Sequence, residues 1–466
     1  MAQRLRIGGL CLLSLAAGAC APHVELEVAP QLLSTAWSQP ASPSTVPEAG
    51  LPAATPANLG AAFGSQELEG LIGRALQQNG DVGVARARIQ QARALFGIAR
   101  GAMLPLVTAS AGLSGTRTER TASDPFDFSD AFAGVDISFD LDLFGANRAR
   151  RRAEGHRLRA AEFDQGATAL IVEGDVARIY VQRAALAARI GLLDRNIEQA
   201  AELERIIRAR ANAGDATRVD LGLQTIQLRE LQTDRLRLAE ALDRTRTAMA
   251  VLVGEEAPRF VLTPSPLDAL QVPDMAVAPP PELLVRRPDI QAAEARIDAA
   301  GGDVDAARRA FFPRLSLSAS GIGEAASLSG PLAATVSLGA NLLSPIFNRG
   351  QLRGNLEFAA GRQVESVELY RIVLLTSLAE AENALSAVER ARAREALLLQ
   401  IVEEARVTAR LARLQYMEGE TDLQSLFDAE QRLVSAEDAR AIAHQERLEA
   451  AIDLFKAMGG AYPPRA

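Results

Sequence analysis

The chain has 466 residues, a formal net charge of −8 and only 4% aromatic residues, with Ala, Leu, Arg and Glu abundant. That length holds one large or several ordinary domains, and the composition suits long packed helices better than a large α/β core. The acidic balance excludes non-specific nucleic-acid binding, and the interspersed charges suit solvated helix faces.

Arg4 and Arg6 open a short basic region, followed by an apolar run from Ile7 to Ala17. The run is too short to cross a bilayer as a helix, so residues 1–19 read as a signal peptide. Two processing routes fit its end. Ala17 and Ala19 are small, as an ordinary secretory cleavage after Ala19 requires. Cys20 at the cut point also fits lipoprotein processing, in which the cysteine thiol receives diacylglycerol and its amino group an acyl chain. The segment resembles a bacterial lipobox, with Ala17 where Leu is commonest. Ala21 after the cysteine, by the same resemblance, favours sorting to the outer membrane. The other cysteine, Cys11, leaves with the signal, so the mature chain has no disulfide, thiol nucleophile or Cys-based metal site. Residues 20–58, rich in Ala, Pro, Ser and Thr, are expected to form an extended lipidated tether. It would run from the lipid to the body of the protein or wrap along its surface.

The rest of the chain is duplicated, with a first repeat over 59–263, a Pro-rich linker over 264–281 and a second repeat over 282–466. Ala85-Arg86-Ala87-Arg88-Ile89-Gln90-Gln91-Ala92 matches Ala293-Glu294-Ala295-Arg296-Ile297-Asp298-Ala299-Ala300. Each opening helix ends at a proline, Pro105 or Pro313, and alternation follows. Each half continues through Asn-Arg, at 147–148 and 348–349, into a long helical stretch. That stretch breaks at Gly214-Asp215-Ala216-Thr217 or at Gly419-Glu420-Thr421, and a further helix closes each half.

Four runs alternate with period two, at about 106–114, 134–143, 314–322 and 334–342. In the second, Val135, Ile137, Phe139, Leu141 and Leu143 oppose Asp136, Ser138, Asp140 and Asp142. Each run is about ten residues, near the length of a tilted membrane-crossing strand. A half-buried soluble sheet is the plainer alternative for any one of them. Four strands cannot close a barrel in lipid, where unpaired backbone groups cost several kcal/mol each and the smallest closed barrels have about eight strands. Membrane-spanning strands would therefore be shared among protomers. A trimer supplies twelve, with Asp136, Asp140 and Asp142 on the bore and the connections around Arg117–Asp130 and Glu324–Pro331 facing outside.

From about Asn147 to Ala213 the chain lacks proline, and a continuous helix there would extend roughly 100 Å. The stretch from Asn348 to Tyr416 is its counterpart in length. Heptad spacing joins Leu228, Leu231, Leu238, Leu242, Met249 and Leu252, and also Leu398, Ile401, Ala405, Thr408 and Ala412. An intramolecular coiled-coil bundle without a barrel accounts for these residues alone.

Leu283-Leu284-Val285-Arg286-Arg287-Pro288-Asp289-Ile290, with Ala293-Glu294, Ala306-Ala307 and Phe311-Phe312-Pro313-Arg314-Leu315-Ser316-Leu317, resembles the opening of the second repeat in TolC-like outer membrane factors. The chain is most similar to their lipoprotein branch, which serves resistance-nodulation-division (RND) pumps. Met458-Gly459-Gly460-Ala461-Tyr462 also resembles that branch, with Tyr462 where Trp is usual. The resemblance implies a mainly α fold with a four-stranded membrane β element. Duplicated long-helix hairpins would form an α-barrel continuous with a trimer-shared twelve-stranded β-barrel. It implies a passive homotrimeric conduit for drugs and other small toxic compounds, with a periplasmic adaptor protein, an inner-membrane RND-type pump and outer-membrane lipid as partners. A type I protein-secretion duct and a coiled-coil lipoprotein without a channel are the alternatives.

No catalytic, cofactor or metal motif is present, and His23, His156 and His444 read as solvated surface. The resemblance places a periplasmic gate at the hairpin turns, where Tyr416, Glu418, Glu420 and Asp422 are the candidates and Arg218 a partner that would lock the closed state. Thr421 aligns with the usual constricting acid, but it also reads as a helix cap boxed with Gln424, as Thr217 does with Asp220. Glu420 and Asp422 read equally as pore-lining acids or as solvated acids favoured by the helix dipole.

Overall fold

A computed structural model describes residues 36–38, 58–118, 126–262, 266–273, 277–325 and 331–460. Cys20, His23 and Tyr462 lie outside the described residues. The elements in chain order are α1 (Leu59–Ala62), α2 (Gln66–Gln78), α3 (Gly80–Gly101), β1 (Leu106–Thr118), β2 (Phe126–Asp140), α4 (Ala146–Ala213) and α5 (Arg218–Val253). After a 3₁₀ turn at Leu267–Ala269 come α6 (Pro280–Arg286), α7 (Pro288–Arg309), β3 (Arg314–Ala325), β4 (Ala333–Leu343), α8 (Arg349–Glu418) and α9 (Leu423–Ala457). Two compact units result. One gathers Arg88–Glu162 and Ala292–Ile372; the other gathers Gln31–Ala87, Phe163–Gln291 and Val373–Ala466.

The first unit carries the sheet. Its strands lie in the order β1-β2-β3-β4, every pair antiparallel. The register sets Val107 opposite Ile137, Ile137 opposite Ala319 and Ala319 opposite Leu338, so one face is apolar from edge to edge. β1 and β4 are the edges, and β4 is exposed along its whole length. β2 departs from the expected 134–143 at both ends. It begins at Phe126, because Phe132 sits on the polar-parity face and hides the start of the strand from the sequence period. It stops at Asp140, because Asp142 takes a left-handed φ of 44° and turns the chain. Helical packing in this unit centres on Val304, Leu356, Ala359 and Ala360, with Phe311 against them. Gly302 lets α7 approach closely: a Cβ there would lie 2.9 Å from that of Ala153 on α4. Phe144 stacks on Phe312 with ring centroids 4.9 Å apart.

The second unit holds the rest of α4 and α8, which are 68 and 70 residues long, and the shorter hairpin arms α5 and α9. Leu186, Leu193 and Leu238 form one core, with Leu231 and Leu242 against it. On α8 the sequence register was out by one at two positions. Val402 and Ala409 are buried, whereas Ile401 is 51% exposed and Thr408 faces solvent. The seam runs Leu398, Val402, Ala405, Ala409, Ala412, Tyr416, buried at Val402 and Ala409 and half-buried at the rest, still in alternating steps of four and three. The two repeats also close alike. Gly254 (φ 79°) abuts the Gln78 carbonyl and Gly459 (φ 87°) abuts the Arg286 carbonyl, both approaches that a side chain would block. Trp37 donates its Nε1–H to the Ala278 carbonyl at 2.9 Å, and the Ser38 N–H binds Glu382, so this piece of the tether lies along the surface. Among the described residues, no helix is long and apolar enough to cross a membrane.

Candidate channel site: the strand wall and the hairpin turns

The three acids expected on the polar face separate by role. Asp136 sits mid-strand, opposite Thr108 on β1 and Ser320 on β3, and is exposed. Asp140, the last residue of β2, accepts the Asp142 N–H at 3.0 Å and the Asn147 side-chain amide at 3.4 Å. Arg314 stands 3.9 Å from its carboxylate. Asp142 is outside the strand, which corrects its assignment to the alternating face. Its carboxylate accepts the N–H groups of Asn147 and Arg148, each at 2.9 Å, and pairs with the Arg148 guanidinium at 3.4 Å. It therefore satisfies free donors at the start of α4. Across the same turn Arg309 donates to the Phe144 carbonyl at 3.0 Å and the Gly145 carbonyl at 3.2 Å.

The two hairpin turns are built alike. Gly214 and Gly419 take φ values of 87° and 78°. The following N–H groups reach back to the Arg210 and Gln415 carbonyls, each at 2.8 Å. This is the Schellman closure of a helix end. Three residues after each glycine comes the cap of the next helix. Thr217 and Asp220 form a reciprocal capping box. On the second turn the cap is Asp422, whose carboxylate accepts the Ser425 N–H at 2.8 Å, and not Thr421 boxed with Gln424. Spacing from the glycine explains the correction: Asp422, not Thr421, is the positional twin of Thr217. The hydrogen bonds from Ser425 hold the Asp422 carboxyl below the usual carboxylate range.

The other candidates at the turn diverge. Tyr416 is half-buried in the apolar cluster of Leu203, Ile207 and Leu426. The Arg210 guanidinium lies 5.3 Å from its ring centroid, within cation–π range. Glu418 ends α8 and Glu420 sits in the turn, both exposed. Arg218, first residue of α5, is exposed and makes no ion pair with these acids within the described chain.

The Arg-Pro-Asp block is a structural joint whose geometry the sequence alone did not reveal. Arg287 is 7% exposed. It donates to Asp289 and Glu380, each at 2.7 Å, and to the Ala457 carbonyl at 3.3 Å. In the first repeat Asn79 holds the matching joint: its side chain donates to the Leu252 carbonyl at 2.9 Å and accepts the Asp81 N–H at 2.8 Å. Each residue fastens the start of an opening helix to the last turn of a closing helix.

Two histidines also depart from the solvated surface expected of them. His444, with a side chain 12% exposed, pairs through Nδ1 with Glu395 at 2.6 Å, and Arg447 binds the same carboxylate at 2.7 Å. Burial alone would raise the Glu395 carboxyl, but Arg447 and His444 together hold it below its ordinary value. His156 pairs with Asp298 at 3.2 Å. Among the described residues, no group of three or more His, Cys, Asp or Glu side chains could hold a metal ion.

A duplicated chain with a two-faced antiparallel sheet, open at both edges, and with long capped hairpins has the fold of outer-membrane channel proteins. Comparison with known proteins agrees. The chain matches the outer membrane efflux protein family over residues 71–255 and 280–460. It is 33% identical over 413 residues to the pyoverdine export outer membrane protein OpmQ of Pseudomonas aeruginosa, covering 86% of each chain. It is 27% identical to the outer membrane protein OprJ of the same species, over 85% of this chain and 84% of that one. Among solved structures, the outer-membrane channel OprN superposes with a TM-score of 0.83 at 26% identity, over 95% of this chain and 99% of OprN. The open state of the MtrE channel of Neisseria gonorrhoeae gives 0.76 at 26% identity, over 85% and 89%. The chain belongs to the outer membrane efflux protein family and is an outer-membrane efflux channel.

Proposed function

We propose that the chain works as a homotrimer that passes small molecules outward, anchored to the outer membrane by lipid on Cys20. It would dock to a periplasmic adaptor and, through it, to an inner-membrane RND-type pump. The observation that carries this reading is the sheet. Leu338 and Val336 on β4 are 84% and 80% exposed, and β1 and β4 end the sheet with unpaired edges. In lipid the apolar face is solvated well, whereas open edges cost several kcal/mol per unpaired group. Pairing β4 of one copy with β1 of the next removes every edge at once.

Energy for transport comes from the pump, so the channel's own task is gating and passage. Glu418 and Glu420 are exposed at the hairpin turn, and three copies brought together there would attract cations and repel one another. Arg218 is available to an acid of a neighbouring copy, as a latch on the closed state. The relatives' names bear on cargo: one is a pyoverdine exporter and another, CusC of Escherichia coli, a cation efflux system protein. Small polar or charged organic molecules fit that range and the polar strand face.

Single-channel recording of the purified protein in a planar bilayer tests the reading, with wild type beside Glu420→Ala. A small cation-selective conductance that rises in the variant, from a heat-modifiable trimer in detergent, is the expected result. A protein that neither conducts nor forms trimers would leave a coiled-coil lipoprotein as the better account. Lipidation is read separately, by incorporation of labelled palmitate into wild type and its loss in Cys20→Ser.

A further inference from the structure

The polar-parity face of the sheet is built mostly of small hydroxyl and acidic side chains: Thr108, Ser110, Asp136, Ser318, Ser320, Ser337. In the half nearer the β1–β2 and β3–β4 connections, where Phe126 and Phe128 share the parity of Phe132, two large apolar side chains among those described interrupt it. Phe132 pairs with Gly112 on one side and with Glu324 on the other. Ile322 pairs with Gly134 and Thr335. Phe132 and Ile322 are thus diagonal neighbours, about 7–8 Å apart by sheet geometry.

Both side chains rest on glycine. A Cβ on Gly112 would collide with the Phe132 ring, lying 2.7 Å from Cζ. A Cβ on Gly134 would lie 3.0 Å from Ile322 Cγ1. The glycines act as shallow niches in which the ring and the branched chain lie against the wall. Gly112 lies against the ring, and Phe132 as a whole is still 40% exposed. An exposed ring face attracts cations, and the Glu324 carboxylate beside it adds the same preference.

We propose that Phe132, Ile322 and Glu324 form a contact station on the inner wall for organic cations bearing an aromatic or aliphatic part. This rests on the channel reading above, which turns the polar face to the bore. The apolar part of the cargo meets Phe132 and Ile322 while its charge meets Glu324. Gly112 and Gly134 keep the station flat, so the bore stays open to ions. Contact is brief, as a conduit requires: cargo that bound tightly would plug it.

Single-channel recording of the full-length protein, with tetraphenylphosphonium as probe and tetraethylammonium as the non-aromatic cation, tests the station. Tetraphenylphosphonium is expected to interrupt the current, with mean block duration falling about threefold in Phe132→Ala and in Phe132→Leu, the size of loss expected for an exposed cation–π contact. Tetraethylammonium blocks should be alike in all three proteins. Gly112→Ala should lower the open conductance by turning the ring into the bore, and adding Phe132→Ala should restore it. Equal tetraphenylphosphonium blocks in wild type, Phe132→Ala and Phe132→Leu overturn the station while leaving the channel intact. A wild type that does not conduct overturns the channel reading, and the station with it. If Gly112→Ala does not assemble, the Phe132→Leu comparison still decides.

Discussion

Glu173 shows how a single side chain can fix the start of a fold. The residue is 9% exposed, and its carboxylate accepts the Leu59 N–H at 2.8 Å, completing the first turn of α1 where the tether meets the body. Burial raises its pKa, and the Leu59 hydrogen bond only partly opposes the rise. The folded protein therefore holds this proton more firmly than the unfolded chain does. Ionisation above the ordinary glutamate range counts against folding, and the penalty fades as pH falls back through the raised value. Glu173→Gln keeps the acceptor and drops the charge. Its melting temperature should equal or exceed that of wild type at pH 7, with the gap closing as pH approaches the ordinary glutamate value. A melt of Glu173→Gln well below wild type at neutral pH would show that the charge itself is needed. Arg287 works in the opposite sense, since its guanidinium serves three acceptors at once. Arg287→Ala should cost about 2–3 kcal/mol, seen as a lower thermal midpoint of the detergent-solubilised protein. Arg287→Lys should recover only part of it, because an ammonium cannot span the same fork. From sequence the Arg-Pro-Asp block could be recognised but not explained. Its partners, Glu380 and Ala457, lie 93 and 170 residues away.

At the scale of the element, local chemistry was legible wherever the determinants are local. The capping box of Thr217 with Asp220, the left-handed glycines of both turns and the proline that ends each opening helix are all short-range signals. Thr217→Ala should remove about 1 kcal/mol from the start of α5, read as faster hydrogen exchange at the Asp220 amide and its neighbours. Asp422 separates cap from gate. Asp422→Asn keeps a capping oxygen and loses the charge, so a rise in conductance would mark the carboxylate as part of the constriction, and an unchanged conductance would leave it a cap alone. Heptad register was less legible. On α8 both Ile401 and Val402 are apolar, and so nearly is the Thr408–Ala409 pair, so the sequence carries two adjacent seams and only packing chooses between them. Val402→Asn should therefore lower the melting temperature markedly, while Ile401→Asn should leave it within a degree or two, as surface substitutions usually do. The same ambiguity hid the start of β2, where Phe132 follows the wrong parity for an apolar face.

At the scale of the whole molecule, the duplication predicts how copies meet. Pro105 and Pro313 stand before β1 and β3, so Leu104 is the counterpart of Phe312. Leu143-Phe144 and Ile346-Phe347 precede the two long helices, so Phe144 is the counterpart of Phe347. Within one chain, Phe144 of the first repeat stacks on Phe312 of the second, beside the β2–β3 pairing. The next repeat-to-repeat junction, β4 onto a β1, has no partner among the described residues. There Phe347 is 99% exposed and Leu104 is 65% exposed. Carried across the junction, the internal rule seats Phe347 on the Leu104 of a second copy and aligns Leu338 and Leu342 with the apolar face of that copy's β1. Parity agrees, because the same operation puts even-numbered β4 residues beside odd-numbered β1 residues, Leu113 and Ala111 among them. The chain outside the signal has no cysteine except Cys20, whose thiol is expected to carry lipid, so introduced thiols report cleanly. The double variant Leu104→Cys/Phe347→Cys, treated with a short bismaleimide, should run as covalent dimers and trimers on a denaturing gel, and each single variant as a monomer. Double-variant protein that remains monomeric, from preparations that conduct as trimers, would show that copies join by a different rule from the one that joins the repeats.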